Sequence, residues 1–500
     1  MSRLGPIFLA VFLALGLPVL AAPPTISPLP LPRPLQGAVV AVEVSAPLRR
    51  NVLIEVIAEE AIEEAAVADE APVEEAEQPA PSDLAILTSP RPTWRGDVPP
   101  DFAARAARLR AEAEAEEAAN RPIRTSDPEF RAWIAAFEER ALAAGISADT
   151  FERAFDGLQL NTGVLERDRN QAEFSRALWV YLDSAVSAAR IRNGREALAE
   201  WRTTLGRIEE QYQVEAEVVV AVWGLESAYG AMRGSEGIVE AMASLAFDGR
   251  RQEFFEAQLI AALQIIEAGD TRPRNMTGSW AGAMGHTQFM PTSYLEYAQD
   301  FDGDGRRNIW SDNPVDALAS TAHYLAEHGW TYGQPWGLEV RLPEGFDYRL
   351  AGEQERIGAA FWNQQGVRLR NGDPVPEHGP ASILLPAGAG GVALVVYNNF
   401  RVIERYNPAD AYVIAIGHLS DRIQGGPAFE AGWPRGDRAL TFAEREELQR
   451  LLRAAGHYDE RIDGIVGPIT IASVRSYQEA VGVTPDGYAS LAILQRLRGG

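Results

Sequence analysis

A single carboxylate closes one of the most apolar runs of the chain. In VVVAVWGLESAYGAMRG, residues 218–234, Glu226 stands between Leu225 and Ser227. On a helix over 215–226, Val218, Val219, Val222 and Trp223 form an inward face, and Glu226 follows one turn beyond Val222. Burial beside Trp223 and Tyr229 disfavours the anion and raises the carboxyl pKa. Such a group keeps a proton at neutral pH and can deliver it to a leaving oxygen. The same pattern also suits a helix-end glutamate that faces solvent or pairs with Arg233.

A second stretch, GSWAGAMGHTQFMPTSYLEY, residues 278–297, interleaves Gly278, Ser279, Gly282, Gly285, Thr287 and Gln288 with Trp280, Met284, Phe289, Met290 and Tyr294. Glycines let backbone approach a ligand closely. Gln288 can both donate and accept hydrogen bonds, as an acetamido sugar requires. A tight loop over a Met/Phe core fits the same residues, and spacing does not decide between the two. In DFDGDGRRNIWSDNPVD, residues 300–316, Asp300, Asp302 and Asp304 alternate with Gly305 at the sixth position, as at the start of a calcium loop. An Asp/Gly turn held by its own side-chain hydrogen bonds is the plainer reading. The six histidines form no metal pattern, and His286 reads as a surface or supporting residue.

These groups need a scaffold. The chain has 500 residues, enough for two or three units, and 46% apolar content allows most of it to bury itself. It contains no cysteine, which removes disulfides, thiolate metal sites and a Cys nucleophile. The net charge of −24 argues against nucleic acid or an anionic membrane surface as the main partner. Residues 1–22 carry Arg3, an apolar stretch from Ile7 to Leu20 and then Ala21 and Ala22, the layout of a secretory signal and short for a membrane span. No cysteine follows to accept a lipid, so the expectation is an exported, periplasmic protein that keeps no stable membrane span once the signal is cleaved. Residues 23–126 are an Ala/Pro/Glu-rich tether, with a short helix expected over Asp101 to Ala119.

Folded sequence starts near Asp127. FRAWIAAFEERALAAGI has helical spacing ending at Gly145, and Ser147 reads as the N-cap of the next helix. Further helices are expected at 170–190, 195–212, 215–226, 251–268, 314–328 and 408–423. LEVRLP, ASILLP and GGVALVVYNN read as short strands. The Gly/Pro-rich joint GGPAFEAGWPRGD, 425–437, precedes a terminal unit of three helices in which Leu448, Leu452, Val474 and Tyr477 form the core.

GLESAYG followed by SWAGAMGHTQFMPTSYLEYAQDFDGDGRRNIW closely resembles the MltB-type lytic murein transglycosylases, lysozyme-like enzymes that cut the glycan strands of peptidoglycan. The resemblance covers residues 127–425. It implies a mainly α fold of the goose-type lysozyme kind with a small β element, and Glu226 as the catalytic acid/base. It matches Ser279 and Gln288 to positions at the reaction centre and Arg250 and Arg251 to a basic pair lining the glycan groove. Tyr406, Asn407 and Tyr412 match further active-site positions, as does Tyr181. It also implies a calcium loop longer than the usual one, closed by Asp316 and completed by the carbonyl of Arg306, with WSDNPVD carrying two added residues. The ion's role would be structural, since the chemistry needs no cofactor. The implied reaction breaks the β-1,4 bond between N-acetylmuramic acid and N-acetylglucosamine and leaves a 1,6-anhydro end. A water-using muramidase and a catalytically silent wall-binding protein are the alternatives. Residues 438–500 resemble a peptidoglycan-binding domain, with Asp463-Gly464, Gly467-Pro468-Thr470, Tyr477-Gln478 and Asp486-Gly487 as its marks and Ile469 and Ile471 flanking Thr470.

Overall fold

Helix is the dominant element of the computed structural model, which describes residues 126–170, 176–352 and 356–499. The leader, the tether and the helix expected over Asp101 to Ala119 lie outside the described residues. The helical body starts with α1 (Asp127–Ala143), α2 (Ala148–Phe155), α3 (Thr162–Asn170), α4 (Leu178–Ala185), α5 (Ala188–Glu200) and α6 (Arg202–Tyr212). It continues with α7 (Ala216–Ser227), α8 (Ile238–Asp248), α9 (Gln252–Ala268), α10 (Pro291–Tyr297) and α11 (Val315–Glu327). Gly145 takes the left-handed φ of 91° just past α1. Ser147 Oγ accepts from the Thr150 N–H at the head of α2. Both follow ordinary capping chemistry. The stretch expected as one helix over 195–212 is two, because Trp201 ends α5 and starts α6.

Helix α7 is buried on every side rather than along one face. Every residue from Val218 to Ser227 is buried, including Val220, Ala221 and Leu225, which the inward-face reading left outward. A helix that is apolar all round belongs at the centre of a domain. Here α5, α6 and α11 pack around it. So does α14 (Asp410–Gln424), which follows α12 (Ala359–Gln364) and α13 (Asn398–Tyr406). Helix α8, with ten of its eleven residues buried, packs on α9 and was not foreseen as a helix.

The β element has its own core. Beyond the two-residue pair of β1 (Glu236–Gly237) and β2 (Thr277–Gly278), strands β3 (Gly337–Arg341), β4 (Arg368–Leu369), β5 (Ser382–Leu384) and β6 (Ala393–Val396) form an antiparallel sheet in the order β4-β3-β6-β5. Leu338 faces Val395 across β3 and β6, and Ile383 faces the same Val395 from β5. Val340, Trp362, Val367, Ile383, Val395 and Tyr397 bury together beneath it.

The terminal unit contains α15 (Phe442–Ala454), α16 (Pro468–Ala480) and α17 (Leu491–Leu497) around Leu448, Leu452, Val474, Tyr477 and Leu494. A repeated lock, invisible as sequence similarity, holds its two turns. The Gln449 amide accepts from the N–H groups of Asp463 and Gly464 and donates to Asp463 Oδ1 at 2.7 Å. The Gln478 amide accepts from the Gly487 N–H and donates to Asp486 Oδ1 at 2.7 Å. The second turn then meets the β element, where Asp486 Oδ2 accepts from the Ala389 N–H at 2.9 Å. The joint is pinned as well: the Glu339 carboxylate accepts from the Glu430 and Ala431 N–H groups, and Arg435 pairs with Asp183.

Candidate active site

The last turn of α7 holds Glu226 at 5% exposure. Tyr412 on α14 donates its hydroxyl to Glu226 Oε1 at 2.6 Å. Burial pushes the carboxyl pKa up to about 8, and the tyrosine hydrogen bond offsets part of that rise. Arg233 does not pair with Glu226; it bonds the Trp310 and Ser311 carbonyls and Asp312. Trp223 and Tyr229, expected as the shelter of the acid, have other partners, His286 and the Arg190 carbonyl. The phenols of Tyr412 and Tyr406 are the groups whose ionisation the Glu226 charge opposes, and burial pushes both well above their ordinary range. Tyr406 donates to the Thr287 carbonyl at 2.6 Å. Tyr181 is buried on α4 and acts electrostatically on Tyr412.

The backbone after Glu226 is strained. Ala228, Tyr229 and Gly230 take φ values of 48°, 61° and 86° in succession, left-handed geometry that costs a non-glycine residue on the order of 1 kcal/mol. Two glycines make the turn possible. A Cβ on Gly224 would come within 2.5 Å of the Tyr229 ring, and one on Gly230 within 2.5 Å of the His286 ring. The spacing of GLESAYG is therefore a packing code for this turn.

The 278–297 stretch folds tightly upon itself. Ser279 Oγ accepts from the Ala283 N–H at 3.1 Å. Gln288, at φ 53°, donates its amide NH₂ to the carbonyls of Gly285 and Arg233. With its donors so used, the amide keeps its Oε1 as an acceptor, the role an acetamido N–H asks for. Asn407 is buried, and its Oδ1 accepts from the Ala409 N–H ahead of α14. Arg250 and Arg251 both bond the carboxylate of buried Asp168, which is 3% exposed, and Arg251 lies over the Phe255 ring. Asp168 went unnoticed in the sequence; an acid between two arginines in LERDRNQ is the only signal it gives.

In the acidic loop, the carboxylates of Asp300, Asp302 and Asp304 offer atoms within 4.8 Å of one another and are exposed. Backbone N–H groups of Gly303, Asp304 and Gly305 point at Asp300, and the Arg306 N–H bonds Asp304. Asp316, buried at the head of α11, bonds the same loop. Its Oδ1 accepts from the Phe301 and Asp302 N–H groups and its Oδ2 from that of Asn308. One Oδ2 lone pair is left for an ion.

A helical body with a buried carboxyl at the end of its central helix is the arrangement of a lysozyme-like glycan-cleaving domain. Residues 129–421 match the Transglycosylase SLT domain family, and the chain belongs to that family. Residues 443–497 match a peptidoglycan binding domain family. The chain is 34% identical to membrane-bound lytic murein transglycosylase B of Escherichia coli over 250 residues, 49% of this chain and 66% of that protein. Its fold matches SltB3 of Pseudomonas aeruginosa, solved with NAG-anhNAM-pentapeptide, at TM-score 0.72 and 49% identity over 74% of this chain and 99% of that one. It also resembles the Escherichia coli lytic transglycosylase Slt35, solved in complex with calcium, at TM-score 0.51 and 29% identity over 60% and 93% of the two chains.

Proposed function

We infer that this protein is a peptidoglycan lytic transglycosylase, which breaks the MurNAc–GlcNAc β-1,4 bond without water and leaves 1,6-anhydro-MurNAc ends. The observation that carries this reading is Glu226, buried at the end of the central helix and hydrogen-bonded to Tyr412. Glu226 donates its proton to the glycosidic oxygen as the C1–O bond breaks. The muramoyl acetamido oxygen shares the positive charge at C1. The Glu226 carboxylate then takes the proton from the C6 hydroxyl, whose oxygen bonds to C1 and closes the anhydro ring. One acid serves both steps and ends as it began. Tyr412 steadies the carboxylate between them, since a hydrogen bond to the charged form favours that form. Gln288 Oε1 is suited to the acetamido N–H, and Ser279, Tyr406, Asn407 and Tyr181 shape the surroundings.

Glycosidases that add water use a second carboxyl as nucleophile or base, whereas the route inferred here asks for Glu226 alone. We further read residues 1–22 as an export leader to the periplasm, 23–126 as a tether, 127–425 as the catalytic domain and 438–500 as the wall-binding module. No described helix is long and apolar enough to cross a membrane. A calcium ion fits the all-oxygen donor set of Asp300, Asp302, Asp304 and Asp316 with the Arg306 carbonyl, and Asp316 also holds the loop through its backbone N–H partners. The ion would offset the mutual repulsion of the carboxylates, and no step of the reaction passes through it.

Mass spectrometry of muropeptides released from purified sacculi tests the reading. Anhydro products are expected, and products heavier by one water, about 18 Da, would overturn it. Glu226→Gln abolishes release while wall binding stays near wild type and the melting temperature does not fall.

A further inference from the structure

His286 is 3% exposed, and both of its ring nitrogens are bonded. Trp223 Nε1 donates to Nδ1 at 3.0 Å, so Nδ1 carries no proton. Nε2 lies 2.7 Å from the Ser311 carbonyl, which can only accept, so Nε2 carries the proton. The Trp223 and Ser311 contacts together fit a neutral imidazole with its proton on Nε2, and the Arg233 guanidinium beside Nε2 disfavours a charged ring. The backbone of the residue is clamped in the same direction. Its carbonyl accepts from the Ser227 hydroxyl at 2.6 Å, and its N–H donates to the Ile309 carbonyl at 3.1 Å. Trp223 and Ser227 bracket Glu226 on α7, whereas Ile309 and Ser311 belong to the acidic loop. His286 joins the two directly.

We propose that His286 is a positioning residue, whose neutral ring ties the helix bearing Glu226 to the acidic loop and fixes the depth of the proton donor. This rests on Glu226 being the acid. Protonation undoes the tie, because an Nδ1–H would confront the indole N–H. An open cavity of about 210 Å³, lined by Glu200, Trp201, Arg233 and Asp312 among others, reaches the ring and gives protons access. The charged groups facing the ring act in opposite directions. The Arg233 guanidinium, 3.2 Å from Nε2, opposes the imidazolium, and Asp312 favours it. Burial is the largest influence, and the net effect lowers the imidazole below its ordinary range. Glu200 lines the same cavity, and Glu226 follows Trp223 by one turn along α7, uncharged while it holds its proton.

His286→Asn keeps an acceptor for Trp223 but loses the donor to Ser311 and cannot titrate. We expect kcat to fall about tenfold, the range of a coupled contact, with KM within about twofold of wild type. The acid limb of the kcat profile disappears while the alkaline limb stays. Trp223→Phe removes the opposing N–H, and the acid limb moves to higher pH. Tryptophan emission supplies a reading independent of turnover, because an imidazolium quenches an indole in contact with it. Wild-type emission loses a step on acidification below about pH 6.5, and both variants lack that step. In Glu226→Gln the step persists, so a failure of the Glu226 assignment is told apart from a failure of this one. If His286→Asn loses activity equally at every pH, or retains the wild-type emission step, the proposal is wrong.

Discussion

Glu226 draws its chemistry from burial opposed by a single hydrogen bond. With its carboxyl at about 8, the acid is protonated at neutral pH, and activity falls as pH rises through that value. Removing the Tyr412 hydroxyl withdraws support from the anion, so Tyr412→Phe moves the alkaline limb of the kcat profile upward. It also slows turnover by about tenfold to a hundredfold, the cost of losing one hydrogen bond to a charged group. A limb that shifts downward would mean that Tyr412 does not stabilise the carboxylate. The same displacement makes Glu226 a stability cost. Folding disfavours its ionisation from the ordinary carboxylate range up to about pH 8, so native stability declines across that window and levels off above it. At this scale the sequence was informative about which residue and silent about its company. The expectation of a desolvated Glu226 came from Trp223 and Tyr229, whereas the polar contact that opposes desolvation is Tyr412, 186 positions away. Periodicity carries no record of such distant convergence, and Tyr412 was named only through family resemblance.

Strongly periodic or strongly apolar segments were the legible elements. Helix α7 was expected at nearly its observed bounds because nothing in 216–227 breaks a helix. Its burial on all sides was missed, since a face can be counted from one segment but the neighbours α5, α11 and α14 cannot. Helix α8 was missed because IVEAMASLAFD lacks a capping side chain, its N-cap being Gly237. The strand β4, two residues long, gives no alternation to read. The acidic loop is the element whose behaviour follows most directly from its charges. Three exposed carboxylates within 4.8 Å repel one another, and an ion that binds only the folded form stabilises it by mass action. Calcium at a hundredfold its dissociation constant is worth about 3 kcal/mol by that relation. A chelator therefore lowers the melting temperature by several degrees and added Ca²⁺ restores it. Asp300→Asn removes the response, and an unchanged melting curve would reduce the loop to a turn.

Across the whole molecule, the sequence located the wall-binding module but described its link to the catalytic domain as a joint. Gly and Pro content in 425–437 does suggest freedom, yet the Glu339 carboxylate, the Arg435–Asp183 pair and the stacking of His418 on Phe429 hold that segment down. The contact of Asp486 with Ala389 closes the connection from the far side. A Cβ on Gly388 would sit 2.5 Å from Asp486 Oδ2 and 2.7 Å from Tyr488 Cβ, so Gly388→Val wedges this contact open. Limited proteolysis in the joint accelerates in that variant while cleavage of small soluble glycan fragments persists; equal proteolysis would show that the contact does not secure the module. Two attachments instead of one loose leash make the protein a ruler. The span from the grip on the wall to the severed bond is then set by protein geometry, so strands cut by the intact enzyme should gather at preferred lengths, and those cut by the wedged variant should smear.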